Sequence, residues 1–587
     1  MKSFFKHILI AIVLLGSASC EDFLKEDPKG QLMSDQTFRD VDDLMGSLHA
    51  LYKQVTRSVN TNISFAWMQM GDDQTTHPAM NKAVLREYDV MTVSDENGHL
   101  TINTGTWFWS WKIVKAANFI ITCPDNIPGA TVADLNLVRG QAHYWRALAY
   151  YNMVRLWGPL PISEDLSADA AGIQLSKISE VYEFIIADLL KAEELTQTNY
   201  TSPSFAVING MNVLVSKGAV QATLANVYLT MAGWPLNYGT EYYAKAAAEA
   251  LKVINGAENG TYYYKMYDDF AQIHSNAENW KNTECILGVY FNGSNGRDGD
   301  DWFVCRGAIS DFPQTVGGYN DVSSEVKFYV NFPRGRRKDY TYAPVLTLNT
   351  GVTLPWWSTT LPEAARKPFG GKTAYMDYNH AEDPFQEYDF YRPFNQQHSR
   401  GWCIQTRQVI RLAEVYLWYA EAVGRANLTD QYTRANQLLN AVRNRANGNV
   451  DPARNIYNNL AGEQLAKAAW DEHGWEIACW WGGTLAPRFS DQQRMHLVPG
   501  YYCPMEHYKS RKLDFETSRK YRIPESEEIM MHRDGVTQIW DGTPVDVGES
   551  FGPVEEWREE KMFLPYPKSD AEQINCFKNV DKFSLIK

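Results

Sequence analysis

Few groups in this chain are spaced for catalysis. The adjacent carboxylates Asp72-Asp73, in "MQMGDDQTTHP", have the clearest chemical potential. Glycoside hydrolysis needs two carboxyl groups ~5–10 Å apart, one to donate a proton and one to attack or to activate water. The same pair serves equally well in loop solvation or as an N-cap. A second concentration is "DEHGWE" around His473, where Glu472 and Glu476 stand one helical turn apart. That spacing suits ion pairs or caps better than an acid–base couple. His-Glu-x-x-His, Gly-x-Ser-x-Gly and a phosphate-cradling glycine loop do not occur. Asp298-Gly-Asp300-Asp301 lacks the spacing and terminal Glu of a calcium loop and reads as a solvated turn. No metal and no cofactor is expected.

Flat aromatic faces offer a different chemistry. The C–H-rich face of a sugar stacks on an indole or phenol ring, while amides and carboxylates bond the hydroxyls. The chain holds 19 Trp and 33 Tyr, more than one core normally asks for. Three places combine such rings with turn residues: Trp302 after an acidic Gly-containing turn, Tyr319 after Gly317-Gly318, and Trp356-Trp357 between Pro355 and Ser358. These are candidate ligand contacts, with filling of a loop-rich core as the competing use. Trp107, Trp109 and Trp111 stand at a helix start and read mostly as core.

The elements that must position these groups are helical. "LANVYLTMA" (224–232) and "LAEVYLWYA" (412–420) agree at six positions, and each opens a two-helix unit whose second helix is expected to stop at Asn-Gly, Asn255-Gly256 and Asn447-Gly448. The closing Gly lies 32 and 36 positions after the first Leu of its unit, separations that bracket the ~34-residue tetratricopeptide repeat. "VRGQAHYWRALAYYNMVRLWGPLPI" carries two adjoining apolar stripes, so it is a helix buried between neighbours that stops at Gly158-Pro159. Further helices are expected over 37–56, 107–122, 179–195 and 463–480. From about 261 to 404, and again over 501–560, the texture turns to Gly, Pro, Asn, Asp and aromatics without helical period. Long irregular stretches in a helical protein carry binding surfaces. The fold class is therefore mainly α: tetratricopeptide-like helix pairs in a superhelical scaffold, about 30–260 and 405–500, bearing an irregular ligand face.

Net charge is −14, which argues against nucleic acid as a partner. Lys2 and Lys6, an apolar run over 8–15 and small residues up to Ser19 make residues 1–19 a secretory leader. Cys20 follows at once, placed for acylation. The other cysteines have neither zinc-site nor disulfide-framework spacing and read as small buried hydrophobes.

Several stretches in register resemble one family. Cys20-Glu-Asp-Phe-Leu followed by Pro28, "RALAYYNMVRLWGPLPI", "VIRLAEVYLWYAEA" with "LLNAVRNRA", and the closing "FLPYPKSDAEQIN" are similar to segments of the SusD/RagB outer-membrane nutrient-uptake lipoproteins, from residue 20 to about 576. After Glu476 the chain departs from the family's usual Phe-Glu-Gly-x-Arg with "CWWGGTLAPR". The resemblance implies one domain over 20–587, a lipid anchor at Cys20 in the outer membrane, and a SusC-like TonB-dependent transporter as partner. It also implies a non-catalytic role in binding glycans, or sometimes peptides. The family's corresponding loop adds Asp72, Asp73 and His77 to the expected ligand face. Competing readings are an exported all-helical glycoside hydrolase or lyase and a tetratricopeptide scaffold that binds only proteins.

Overall fold

The computed structural model describes residues 37–59, 67–76, 83–101, 105–164, 172–275, 280–291, 323–370, 372, 389–393, 406–448, 457–479, 484–549 and 554–587. Helix α1 (Val41–Val59) buries Leu44, Leu48, Leu51 and Val55, spaced 4, 3 and 4, with Asp42 and Asp43 in its first turn and Arg57 in its last. It packs on α2 (Thr106–Ile121). The longest helix, α3 (Val132–Trp157), begins at a capping box: the Asp134 N–H donates to Thr131 Oγ1 at 3.2 Å and the Thr131 N–H to Asp134 Oδ2 at 2.9 Å. Both of its stripes are buried, one between α2 and the other against α4 (Ile178–Leu195). Gly158 ends it with φ +77°, where Phe563 closes over the turn.

The first repeat unit is α5 (Lys217–Ala232) with α6 (Thr240–Glu258). Here the expected stop at Asn255-Gly256 is corrected, because α6 runs on to Glu258. Gly256 is a packing position: a Cβ there would lie 2.4 Å from the Tyr262 ring. Strand β1 (Cys285–Val289) follows, and then the short helices α7 (Val326–Asn331) and α8 (Arg336–Thr341). Strand β2 (Arg407–Arg411) pairs antiparallel with β1, both wholly buried, and leads directly into the second repeat unit, α9 (Leu412–Ala426) with α10 (Tyr432–Asn447). This unit stops as expected, with Gly448 at φ +80°. Helix α11 (Gly462–Ile477) lies against α9, and α6 against α9 joins the two units.

The segment 501–560 is more regular than its composition suggests. After α12 (Arg488–Arg494) it opens with α13 (Pro504–Glu516), started by Pro at N1. The buried face of α13 is Pro504, His507, Tyr508, Arg511 and Asp514, helical in spacing but polar in type, so apolar periodicity misses it. Two small antiparallel pairs follow: β3 (Lys520–Arg522) with β6 (Asp546–Gly548), enclosing β4 (Ile529–Met531) with β5 (Gln538–Asp541).

Beside smaller clusters around Phe270 and Trp470, the described residues form two large hydrophobic cores, one through the helical scaffold and one in the irregular part. Buried ion pairs link them. Glu476 meets Arg411 at 2.7 Å, Arg445 at 2.6 Å and Arg337 at 2.9 Å; Glu472 meets Arg337 at 2.7 Å, and Glu284 meets Arg445 at 2.5 Å. Glu472 and Glu476 thus make ion pairs, as their helical spacing led one to expect. Among the described cysteines, Cys123, Cys285, Cys479 and Cys503 are buried free thiols and Cys576 is half-buried. Among the described residues no helix is long and apolar enough to cross a membrane.

Candidate functional site

The segment Trp67–Thr76 is buried throughout and forms a bracket between the two cores. Gly71 lets it fold tightly, since a Cβ would stand 2.8 Å from Asp73 Oδ1 and 3.3 Å from the Phe489 backbone. Asp72 takes a forked pair of bonds from Arg488, at 2.7 and 3.2 Å, and its N–H donates to Gln492. The Arg488 guanidinium also lies 4.0 Å over the Trp470 ring. Asp73 Oδ2 accepts from the Cys479 N–H at 3.2 Å. Burial, with the Asp72 charge adjoining, pushes the Asp73 carboxyl up to about 6.

Beyond this bracket, Thr75 and Ser323 pair antiparallel, exchanging N–H···O bonds of 2.7 and 2.9 Å. A buried polar layer supports the junction. Asp89 accepts from the Thr76 N–H at 2.8 Å and from Arg511 at 2.8 Å, and Arg511 also donates to Thr75 Oγ1 at 3.0 Å. His507 Nε2 sits 2.7 Å from Glu325 Oε1. Burial raises the Glu325 carboxyl, against the pull of Arg511 Nε at 3.4 Å, and lowers the His507 imidazole to about 3. Such a layer fixes backbone; it presents no open carboxylate pair to a substrate.

Among the described residues, two of the open clefts are walled by indoles. One, of about 830 Å³, runs along the first turns of α2, walled by Trp107, Phe108 and Trp111 and by Ile162, Ile574 and Phe577. The other, of about 690 Å³, is more polar: Trp540 on β5 is flanked by Gln538, Asp541, Thr543 and Arg366, with Trp540 Nε1 donating to Ser526 O at 2.8 Å.

A family model described as "Starch-binding associating with outer membrane" matches residues 22–229, and the SusD family model matches residues 373–482. SusD-like protein P2 of Formosa agariphila is 25% identical over 531 residues, covering 88% of this chain and 95% of that protein. Among solved structures, one with xylogluco-oligosaccharide superposes with TM-score 0.65 at 18% identity, covering 92% of this chain and 98% of the other. A laminarin-binding SusD-like protein superposes with TM-score 0.59 at 18% identity, covering 91% and 98%.

The chain belongs to the SusD/RagB family.

Against the SusD/RagB expectations, the candidate residues divide. Trp356 and Trp357 are 1% and 2% exposed, so their assignment as ligand contacts is corrected. They pack edge-on against each other and Trp356 against Tyr329, filling the second core together with aliphatic side chains such as Val345, Leu346 and Ile523. Asp72 and Asp73 are brought together, but as buried bracket groups rather than surface acids. Cys20, His77, Trp302, Tyr319 and the Asp298–Asp301 run lie outside the described residues. Trp107 is core, as read, and its Nε1 donates to Asp570 at 2.6 Å; Trp109 and Trp111 are half-buried. Trp540 was not singled out from sequence, although "TQIWDG" carries the same turn-plus-indole signal as the candidates that were.

Proposed function

We propose that this SusD/RagB-family chain is a non-catalytic lipoprotein of the cell surface, anchored in the outer membrane through Cys20. It binds glycans and hands them to a SusC-like TonB-dependent transporter. The observation that carries the reading is the superposition of scaffold and irregular part together on a family structure solved with xylogluco-oligosaccharide, with the laminarin-binding relative in support. The Thr75–Ser323 pair adds to it: His77 follows Thr75 by two positions and Tyr319 precedes Ser323 by four, so two candidate contacts issue from one junction. His77, Trp302 and Tyr319 are proposed to touch the ligand, with Asp72 and Asp73 fixing the segment 67–76. The Trp540 cleft, an indole among amide, carboxylate and guanidinium groups, is a further candidate surface.

The hydrolase alternative is disfavoured because Asp72 is spent on Arg488 and Asp73 is enclosed. Native gels containing one polysaccharide each test the proposal. Retardation by at least one glycan, abolished by Trp302→Ala with Tyr319→Ala and without new reducing ends in the gel, is the expected result. Shortened chains would establish an enzyme instead, and no retardation by any glycan would end the glycan reading.

A further inference from the structure

We infer that a cleft beside the close of the chain binds small aldehydes covalently, with the Lys582 amine as the nucleophile. The cleft is open and holds about 710 Å³, and Lys582 lines it together with Phe563, Leu564 and Pro565. Lys582 Nζ donates to Leu564 O at 2.5 Å and lies 3.8 Å from the centre of the Tyr566 ring. Tyr566 is itself fixed: its O–H donates to Pro159 O at 2.5 Å, and the Phe577 ring lies 4.7 Å away. The amine therefore has a fixed seat instead of the free end usual for a lysine.

An ammonium has three protons to place and a charge to offset. Here one carbonyl takes one proton, and among the described residues no carboxylate pairs with the amine. The acids nearby are turned to other uses. Asp581 caps the turn that follows it, accepting from the Phe583 and Ser584 N–H groups at 3.1 and 3.3 Å, and Glu555 pairs with Lys561 at 3.1 Å. Arg558 and Glu560 also line the cleft, one of each sign, and neither pairs with Lys582. Burial without a counter-charge disfavours the ammonium, and the Lys582 amine is pushed down to about 7. A neutral amine keeps an N–H for Leu564 O and has a lone pair left over, as attack on a carbonyl carbon requires. The C–N bond forms while the C=O π pair moves to oxygen, and a proton passes from nitrogen to that oxygen. Loss of this hydroxyl with the remaining N–H proton, as water, leaves an imine. Met70, Met91, Val93 and Phe583 give the cleft an apolar wall, so the aldehyde that fits it carries an alkyl body. None of this depends on the glycan reading.

The test treats the full chain with butanal and cyanoborohydride, which reduces the imine to a stable secondary amine, and maps the alkylated peptides by mass. At about pH 7 such an amine is half neutral, against roughly one part in 2,500 for an ordinary lysine. Nucleophilicity falls with basicity and takes back part of that gain. Lys582 is therefore expected to be alkylated first, roughly tenfold or more faster than exposed lysines such as Lys191. Its rate is expected to rise with pH to a plateau above about 8, whereas theirs keeps climbing towards about 10. Lys582→Arg keeps the charge over Tyr566 but removes the fast phase, leaving the slow labelling of the exposed lysines unchanged. Should that variant fail to fold, as circular dichroism reports, the pH profile of the parent decides alone. Alkylation spread over the exposed lysines, with Lys582 slower than they are, would overturn the inference. So would a Lys582 rate that climbs past about pH 9 as theirs do.

Discussion

Asp73 is a carboxyl group that folding removes from water without giving its charge a cation of its own. Its neighbour Asp72 has taken Arg488, and one Asp73 oxygen has no partner among the described residues. Raised to about 6, it holds in the folded state a proton that the unfolded chain has lost. The sign follows from linkage: stability falls as pH rises from about 4 to about 6 and stays lower above that window. About two pKa units correspond to roughly 3 kcal/mol at neutral pH as an upper figure. Asp73→Asn keeps an oxygen for the Cys479 N–H, so it is expected to be more stable than the parent at pH 7 and close to it at pH 4. Urea denaturation at both pH values checks this; a stability difference independent of pH would show that Asp73 carries no such proton. The sequence exposes the two acids but not their use, because Arg488 lies 416 residues further on. The buried Trp356-Trp357 teaches the same lesson. A turn-flanked indole pair looks alike whether it faces solvent or fills a core, and only the packing of the irregular part decides.

Helices were the most legible elements, since their apolar period is local. Those ending against another element were read less well, as Gly256 shows, and α13 was missed because its buried face is made of His, Tyr, Arg and Asp. Two helix-interior glycines separate local propensity from packing. At Gly46 in α1 an added Cβ meets nothing within 4 Å, whereas at Gly424 in α9 it would stand 2.6 Å from Gly462 O and 2.7 Å from Ala466 N. Those atoms are backbone of α11 and cannot swing aside. Gly46→Ala should therefore stabilise by about 1 kcal/mol through helix propensity. Gly424→Ala, with the same propensity gain, should destabilise by about 1–3 kcal/mol net through overpacking. Thermal melts of the two variants check the pair. Equal shifts in one direction would mean that the α9–α11 contact does not limit approach.

At the scale of the molecule the question is whether scaffold and irregular part fold as one, because a ligand face is only as well placed as its attachment to the scaffold. The ion pairs around Glu476 bear on this directly. Arg411 ends β2, Arg445 lies on α10, Arg337 on α8 beside the second core, and all three guanidinium groups reach one carboxylate that is fully enclosed. The three charges hold the Glu476 carboxyl well below the usual carboxylate range. Glu476→Gln keeps the shape but leaves three buried cations short of one anion, and breaking a buried pair in this way costs about 3–5 kcal/mol. Because the cations come from both parts, the loss is expected in both at once. Hydrogen exchange of amides in the second core, around Trp356 and Trp357, and helical circular dichroism from the scaffold should shift to lower denaturant together and by the same amount. An exchange transition that moves alone, with the helical signal in place, would mean that the irregular part unfolds by itself and that the carboxylate serves only its own side. Coincident shifts would make Glu476 the residue through which the scaffold fixes the face that its loops present.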